Sequence, residues 1–175
     1  MDLIFWRHAE AFEALEGQDD LSRTLTPKGE KQALRMSQWL DRQLPEGVRV
    51  MSSPAVRCEQ TVKHLGRKVK YKLELLPSGN LDDLLLTAGW PESKMSVLIA
   101  GHQPVLGRAI AYLLGLPGGD CSVRKGSVWW LRSRVREGVT QTVVVCVQTQ
   151  QCYYGHGLRY LGTLRYSYNN SPICH

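Results

Sequence analysis

Short apolar runs alternate along this chain with longer segments in which apolar and polar residues are mixed. Residues 2–6, 48–51 and 97–100 are runs with the length of single buried strands. Each run leads directly into a polar segment that contains arginine or histidine. Buried strands that alternate with helices indicate an α/β fold with an open sheet.

The segments between these runs have helical spacing. The first helix is predicted to begin at Pro27 with Thr26 as its N-cap, because apolar residues then recur every three or four positions as far as Leu44. Pro45 ends it. Further helices are predicted over residues 53 to about 65, over residues 81–88 after an Asn80 cap, and from about 104 to 114.

Three more strands are predicted. Residues 71–75 form a strand that precedes the third helix, and residues 127–131 and 140–148 form an antiparallel pair joined near Glu137–Gly138. No internal repeat or linker divides this part of the chain. Residues 1–150 are therefore predicted to form one domain.

Basic side chains follow the ends of three of the predicted strands. Arg7 and His8 end the first strand, Arg57 lies in the helix after the second, and His102 follows the third. Ligands of an open α/β sheet bind beyond the carboxyl ends of its strands. We therefore expect two arginines and two histidines to share one rim of the sheet.

This combination of residues indicates phosphoryl chemistry. Guanidinium groups match the oxygens of a phosphoryl dianion in pairs, and a neutral imidazole is a nucleophile toward phosphorus. His8 is the better candidate nucleophile, because flanking arginines would lower its pKa and keep it neutral. His102 would contribute charge to the phosphoryl oxygens in the transition state. Any one of these residues alone is as consistent with a structural role as with a functional one. Only their joint pattern indicates a site.

Composition limits the class of protein. The chain has 175 residues, of which 43% are hydrophobic and 22% charged, as expected for one soluble domain with its own core. No apolar run approaches the roughly 18–20 residues of a membrane span. Residues 1–6 lack the features of a secretory signal, and the five cysteines are scattered as reduced thiols would be. These features favour the cytoplasm and argue against a membrane partner.

The net charge of +6 raises nucleic acid as a partner. The basic residues are spread through the chain, however, and do not form a recognisable nucleic-acid-binding module. A pocket for a phosphorylated or acidic partner explains the charge equally well. We therefore predict no nucleic-acid function.

Residues 151–175 differ from the rest of the chain. No acidic residue follows Glu137, and five of the seven tyrosines lie between Tyr153 and Tyr168. Glycines interrupt any helical period in this stretch. The sequence leaves open whether this C-terminal tail folds.

Four motifs resemble those of the histidine phosphatase (phosphoglycerate mutase-like) superfamily, in the same order. The Arg-His pair and the second His correspond to the two catalytic motifs, and two segments between them correspond to the Leu-Thr and Ser-Pro motifs. The matching stretches are residues 7–10 (Arg-His-Ala-Glu), 25–33 (beginning Leu-Thr-Pro-Lys-Gly), 53–61 (Ser-Pro-Ala-Val-Arg-Cys-Glu-Gln-Thr) and 101–102 (Gly-His). Short length and the Gly-His-Gln-Pro run resemble the SixA-like phosphohistidine phosphatase branch. The likeness covers residues 1–131.

The resemblance implies a three-layer α/β/α sandwich with a mostly parallel central sheet, and a metal-free mechanism without a cofactor. It implies that His8 is the phosphorylated nucleophile and that Arg7, Arg57 and His102 form the phosphate pocket. Arg23 matches a further arginine of the SixA-like pattern. Ala9 departs from the usual glycine of the Arg-His-Gly motif. The implied substrate is a phosphorylated protein, with a histidine-containing phosphotransfer domain as one candidate.

Larger relatives use a carboxylic acid, located between the second arginine and the second histidine, to protonate an alcohol leaving group. Five carboxylates fall in that interval, but none sits in a motif that can be aligned: Glu59, Glu74, Asp82, Asp83 and Glu92. Imidazole leaves more easily than an alkoxide once its other nitrogen is protonated. An enzyme without an assigned acid is therefore expected to favour phosphohistidine or phosphoramidate over alkyl phosphates.

Three other interpretations stay open. The chain could be a phosphatase or mutase of small phosphate esters, or a non-catalytic module that binds phosphoproteins, although such a module has no need of a nucleophile. A metal site is the third, and its candidate ligands have no defensible zinc spacing: Cys146, Cys152, His156, Cys174 and His175.

Overall fold

A computed structural model describes residues 1–149, and the C-terminal tail of residues 151–175 lies outside the described residues. Six strands form one sheet: β1 (Asp2–Arg7), β2 (Arg49–Ser52), β3 (Val69–Tyr71), β4 (Val97–Gly101), β5 (Val128–Arg136) and β6 (Val139–Gln148). Their order across the sheet is β3-β2-β4-β1-β5-β6. The four strands from β3 to β1 are parallel, and β5 and β6 are antiparallel. The prediction of a mostly parallel sheet is confirmed.

Helices cover both faces of the sheet. They are α1 (Pro27–Gln43), α2 (Val56–Val62), α3 (Leu81–Ala88) and α4 (Val105–Leu114). Alternate β1 side chains point to opposite faces, so Ile4 and Trp6 pack with α1 and α2, while Leu3 and Phe5 pack with α3 and α4. These two cores on either side of one sheet make the three-layer α/β/α sandwich that was predicted.

Most helix ends lie where the local signals predicted them. Thr26 caps α1 by accepting a hydrogen bond from the Gly29 amide, and Asn80 caps α3 by accepting one from Asp83. Gly115 ends α4 in the left-handed conformation, which glycine adopts without steric cost. The turn between β5 and β6 is Glu137–Gly138, with positive φ at both residues, as in a two-residue hairpin.

The predicted bounds of α2, β3 and β5 are wrong, and β5 continues to Arg136, five residues beyond its predicted end. Helix α2 starts at Val56 instead of residue 53, because the Ser53 amide still bonds to the Ala100 carbonyl and extends the sheet pairing. Strand β3 is Val69–Tyr71, not residues 71–75. The last sheet bond there runs from the Lys72 amide to the Ser52 carbonyl, after which Leu73–Leu75 turns as a short 3-10 helix and buries Leu75.

Within residues 1–149, none of the helices has both the length and the apolar character needed to span a bilayer.

Candidate active site

The carboxyl ends of β1, β2 and β4 lie side by side in the sheet. Arg7 of β1 pairs with Gly101 of β4, and the His8 amide donates to the Gly101 carbonyl over 3.0 Å. This pairing places the rings of His8 and His102 with their centroids 5.2 Å apart. The structure thus brings the side chains that follow three separate strands to one rim.

His8 is held by a backbone hydrogen bond that fixes its tautomer. Its Nδ1 lies 2.8 Å from the Ala9 carbonyl oxygen. Because a carbonyl can only accept, Nδ1 carries the proton and Nε2 keeps its lone pair. Burial lowers the pKa of His8 to about 4, and the charges of Arg57 and Arg7 add to that effect. Burial is therefore a larger cause of the neutral imidazole than the flanking arginines named from the sequence.

His102 is also buried and neutral. Its Nε2 lies 2.9 Å from the Ser53 Oγ and 3.5 Å from the Cys58 Sγ, while its Nδ1 is buried without a partner. Burial lowers the pKa of His102 to about 3, with further contributions from His8 and Arg57. In the free protein His102 can therefore offer an N–H group but not the charge that the sequence analysis expected.

Arg57 projects from the first turn of α2 and is only 3% exposed. Its two terminal nitrogens donate to Asp20, one to the backbone oxygen over 2.6 Å and one to Oδ2 over 2.8 Å, and its Nε is buried without a partner. Arg7 donates from one terminal nitrogen to the Val123 carbonyl, and its Nε is likewise unpartnered. Both guanidinium groups keep donors free for an anion.

A threonine links the two motifs that supply His8 and Arg57. The Thr61 hydroxyl donates to the Arg57 carbonyl over 2.6 Å and accepts from the Ala9 amide over 3.0 Å. The backbone next to His8 is thereby tied to the first turn of α2. The Ala9 methyl packs in a small apolar cluster with Ala11, Leu25 and Ala33, which accounts for the tolerance of alanine in place of glycine.

Arg23 lies at the entrance of the site, on the loop before α1. Its Nε donates to the Phe12 carbonyl over 2.6 Å, and one terminal nitrogen donates to Asp20 Oδ1 over 2.8 Å. Glu13 lies 3.7 Å from both Arg23 and Lys125. Arg23 therefore lines the same cavity as Arg57, but its carboxylate partners are exposed.

These side chains line a cavity of about 320 Å³, together with Pro77 and Gln103. We call the inner set, Arg7, His8, Arg57 and His102, the floor. We call the outer set, Glu13, Asp20, Arg23 and Lys125, the mouth. The two carboxylates of the mouth were missed from the sequence, and none of the five predicted acid candidates lines the cavity. Hydrogen bonds from Arg23 and Arg57 hold the pKa of Asp20 below its usual range.

A larger cavity of about 420 Å³ lies at the opposite end of β1, beside Met1, Pro91 and Arg136. Neither histidine nor a carboxylate lines it, so it offers no nucleophile. The chemistry of the described residues is concentrated in the smaller cavity.

The alternative of a metal site falls mostly outside the described residues, where Cys152, His156, Cys174 and His175 lie. Cys146 is on β6 with a free thiol. Among residues 1–149, no three His, Cys, Asp or Glu side chains are grouped so that they could hold a metal ion.

Comparison with known proteins gives one consistent family. The family model of the histidine phosphatase superfamily (branch 1) matches residues 3–84. Phosphohistidine phosphatase SixA of Escherichia coli K12 is 34% identical over 121 residues, which cover 65% of this chain and 74% of that protein. The SixA homolog of Haemophilus influenzae is 31% identical, covering 66% and 78%.

A solved structure agrees with the sequence comparison. The protein histidine phosphatase SixA in complex with tungstate superimposes with a TM-score of 0.67 at 28% identity, covering 85% of this chain and 97% of that one. The chain belongs to the histidine phosphatase superfamily and is a phosphatase.

Proposed function

We propose that this phosphatase hydrolyses phosphohistidine on a protein substrate, with His8 as the residue that receives the phosphoryl group. Arg7, Arg57 and His102 bind the phosphoryl oxygens, and Arg23 contributes from the mouth. The SixA relatives, whose names state a phosphohistidine phosphatase activity, support this substrate class.

One observation carries the proposal. Three buried nitrogens of the floor, Nε of Arg7, Nε of Arg57 and Nδ1 of His102, have no hydrogen-bond partner within the described part of the chain. Leaving a buried donor unpaired costs about 1–3 kcal/mol, more when the group is charged. A phosphoryl group bound in the cavity that Arg7, Arg57 and His102 line would bring oxygen acceptors to these side chains, beside the lone pair of His8 Nε2.

The first step transfers the phosphoryl group to the enzyme. His8 Nε2 donates its lone pair to phosphorus, a P–N bond forms, and the bond to the leaving group breaks on the opposite side. The Ala9 carbonyl accepts from His8 Nδ1–H throughout, so the positive charge that develops on the ring is stabilised without loss of that proton.

The second step returns His8 to its starting state. A water oxygen attacks phosphorus and its proton passes to solvent, while the P–Nε2 electron pair returns to His8. Because Nδ1–H is retained by Ala9, the released imidazole is the same neutral tautomer that began the cycle. The products are inorganic phosphate and the dephosphorylated substrate.

The ionised carboxylate of Asp20 supports a P–N substrate over an alkyl phosphate. An alkoxide leaving group needs a carboxylic acid with a proton to give. Of the two carboxylates in the cavity, Asp20 has its pKa lowered by the neighbouring arginines and is ionised at neutral pH. An imidazole leaving group that already carries a proton on its other nitrogen needs no such acid.

The test is phosphate release from phosphoramidate and from a phosphotransfer domain phosphorylated on histidine. The parent protein should release phosphate from both and form an acid-labile, base-stable phosphoenzyme, and His8→Ala should lose both properties. His64→Ala, which changes an exposed histidine outside the cavity, is the matched control. Circular dichroism checks that each variant is folded.

Two other results would contradict the proposal. Release from phosphate esters alone would make the protein a small-molecule phosphatase. Binding of the phosphorylated domain without any release from it would make the protein a phosphoprotein-binding module.

We also propose a cytoplasmic location and a signalling partner. Cys58, Cys121 and Cys146 are free thiols in the structure, which supports a reducing compartment. Fractionation of cells that express the tagged full chain tests the location, and recovery in the secreted fraction would contradict it.

A further inference from the structure

Asp20 occupies a defined place at the mouth of the cavity. It begins a short 3-10 helix, Asp20–Ser22, and its two carboxylate oxygens accept one hydrogen bond each, from Arg23 and from Arg57, both over 2.8 Å. The side chain is still 50% exposed. Because each carboxylate oxygen can accept more than one hydrogen bond, Asp20 can take a further donor from a bound molecule.

The relative depth of the floor and the mouth fixes where a leaving group goes. His8 and His102 are 5% and 2% exposed, so the nucleophile attacks from the inner end of the cavity. In phosphoryl transfer the attacking and leaving atoms are roughly in line with phosphorus. A leaving group displaced by His8 therefore points outward, toward the side of the cavity that Asp20 and Glu13 line.

The charges along this path differ between its two ends. At the floor the charged side chains are the cations Arg7 and Arg57, which match a phosphoryl dianion. At the mouth Asp20 and Glu13 stand beside Arg23 and Lys125. An ionised carboxylate next to the leaving atom repels a leaving group that becomes an anion and attracts one that carries an N–H with positive charge.

We propose that Asp20 determines specificity for P–N substrates by accepting a hydrogen bond from the protonated ring nitrogen of the phosphoimidazole that leaves. This inference rests on the proposed function and names a residue that selects its substrate class. The second nitrogen of the substrate ring takes a proton from solvent before transfer. When His8 Nε2 bonds to phosphorus, the P–N electron pair stays with the departing ring, which leaves as neutral imidazole and keeps that proton.

The attacking imidazole, His8, has an oxygen acceptor of the same kind at its distal ring nitrogen. The Ala9 carbonyl accepts from His8 Nδ1–H over 2.8 Å and so stabilises the attacking imidazole when phosphorus bonds to its other nitrogen. Asp20 would do for the leaving imidazole what Ala9 does for the attacking one. Two imidazoles that exchange a phosphoryl group thus each meet an oxygen acceptor at their distal nitrogen.

The experiment compares two substrates that differ in the leaving group. Phosphoimidazole leaves as a ring with an N–H, whereas p-nitrophenyl phosphate leaves as an anion that needs no proton. Asp20→Asn should lower kcat/KM for phosphoimidazole about tenfold or more relative to p-nitrophenyl phosphate, as expected for loss of a hydrogen bond to a charged group. Asp19→Asn removes one charge from the neighbouring exposed residue and retains its capping function, so the ratio of the two kcat/KM values should not change.

The outcomes separate this inference from the proposed function. If Asp20→Asn lowers kcat/KM for both substrates by the same factor, Asp20 only holds Arg23 and Arg57, and the inference is overturned while the proposed function stands. A parent protein that hydrolyses p-nitrophenyl phosphate but not phosphoimidazole overturns the proposed function itself. A change in the ratio with Asp19→Asn as large as with Asp20→Asn assigns the effect to net charge and also overturns the inference.

Discussion

The floor and the mouth of the cavity both contain arginine, but only the floor has histidines and only the mouth has carboxylates, and the two sets are held in different ways. At the floor, the backbone carbonyls of Ala9 and Val123 accept hydrogen bonds from His8 and Arg7. Sheet pairing of β1 with β4 fixes the backbone at Arg7. At the mouth, the half-buried Arg23 pairs with Asp20 and Glu13, whose side chains are exposed.

This difference has energetic consequences. Ion pairs to exposed carboxylates contribute roughly 0–1 kcal/mol each, so the contacts of Arg23 with Asp20 and Glu13 can rearrange at little cost when a large substrate docks. Buried donors fixed by backbone are already oriented for the phosphoryl group before it binds, and such preorganisation is the main source of electrostatic catalysis. We therefore propose that the floor determines the rate of phosphoryl transfer and the mouth the choice of substrate.

Replacement of Arg57 should have the largest effect. Arg57→Ala removes a buried guanidinium from the floor, and we expect kcat/KM for phosphoramidate to fall by about 10²–10³-fold, the usual loss for one preorganised donor. Arg57→Lys should recover little of it, because an ammonium cannot reproduce the planar fork that also bonds to Asp20. Steady-state kinetics of both variants tests this, and near-parent activity of the lysine variant would show that charge alone suffices.

The stability of the free protein should depend on pH because of the two buried histidines. In the folded state the pKa of His8 is lowered to about 4 and that of His102 to about 3, below the value of 6.5 of an unperturbed histidine in the unfolded chain. Between pH 6.5 and 4 the unfolded chain therefore binds protons that the folded protein does not. The free energy of unfolding should fall as pH falls through this window, by about 3 kcal/mol for His8 alone when the transition is complete.

Urea unfolding at several pH values from 7 to 4.5 measures this slope. His8→Ala should flatten it, since one of the two buried histidines is then missing. Carboxylates such as Asp20 and Asp2 have lowered pKa values and titrate below this range, so they contribute little there. A parent protein whose unfolding free energy is constant across the window would contradict the burial of neutral histidines.

Ser53 should have a smaller effect, through the orientation of His102. The Ser53 Oγ accepts from the Ala55 amide and so can donate its own hydrogen to His102 Nε2, an arrangement that would keep the ring proton on Nδ1, the nitrogen left without a partner. Ser53→Ala should lower kcat about tenfold with little change in KM. Without the Ser53 hydroxyl the ring proton of His102 can move to Nε2, and Nδ1 then loses the hydrogen bond that it donates to the phosphoryl group in the transition state. Nitrogen NMR of the His102 ring reads the tautomer directly.

A matched control is available in α1. Ser37 is also fully buried, but its Oγ has no partner among the described residues. Ser37→Ala should therefore leave both kcat and the His102 tautomer unchanged. If Ser53→Ala keeps the Nδ1–H tautomer, Ser53 does not position His102.

The sequence predicted the floor far better than the mouth. Arg7, His8 and His102 each follow an apolar run directly, so the position of the strand nearly determines the position of the side chain. Parallel strands with their carboxyl ends at one edge then bring the three together. Local patterns of this kind can be read without knowledge of tertiary contacts.

Asp20 could not be found in the same way. It lies in a polar loop with no periodicity and reaches Arg57, which is 37 residues away, through contacts that only the folded chain makes. The start of α2 was predicted too early for a related reason. The Ser53 amide donates to the Ala100 carbonyl in the neighbouring strand, so the backbone at Ser53 is still extended and the helix begins only after it. Long-range hydrogen bonds decided both cases.

Arg23 should produce the smallest effect of this series, and its kinetics tests the division between floor and mouth. Its side chain is 14% exposed and already satisfied by Phe12, Asp20 and Glu13, so phosphoryl binding competes with existing bonds. Arg23→Ala should raise KM about three- to tenfold and change kcat little, because the interaction it removes lies at the entrance of the cavity and is similar in ground and transition states. The effect on KM should also shrink at high salt, since exposed charges are screened. A fall in kcat as large as that of Arg57→Ala would mean that the mouth takes part in the chemical step, and the two regions would then be one site with one role.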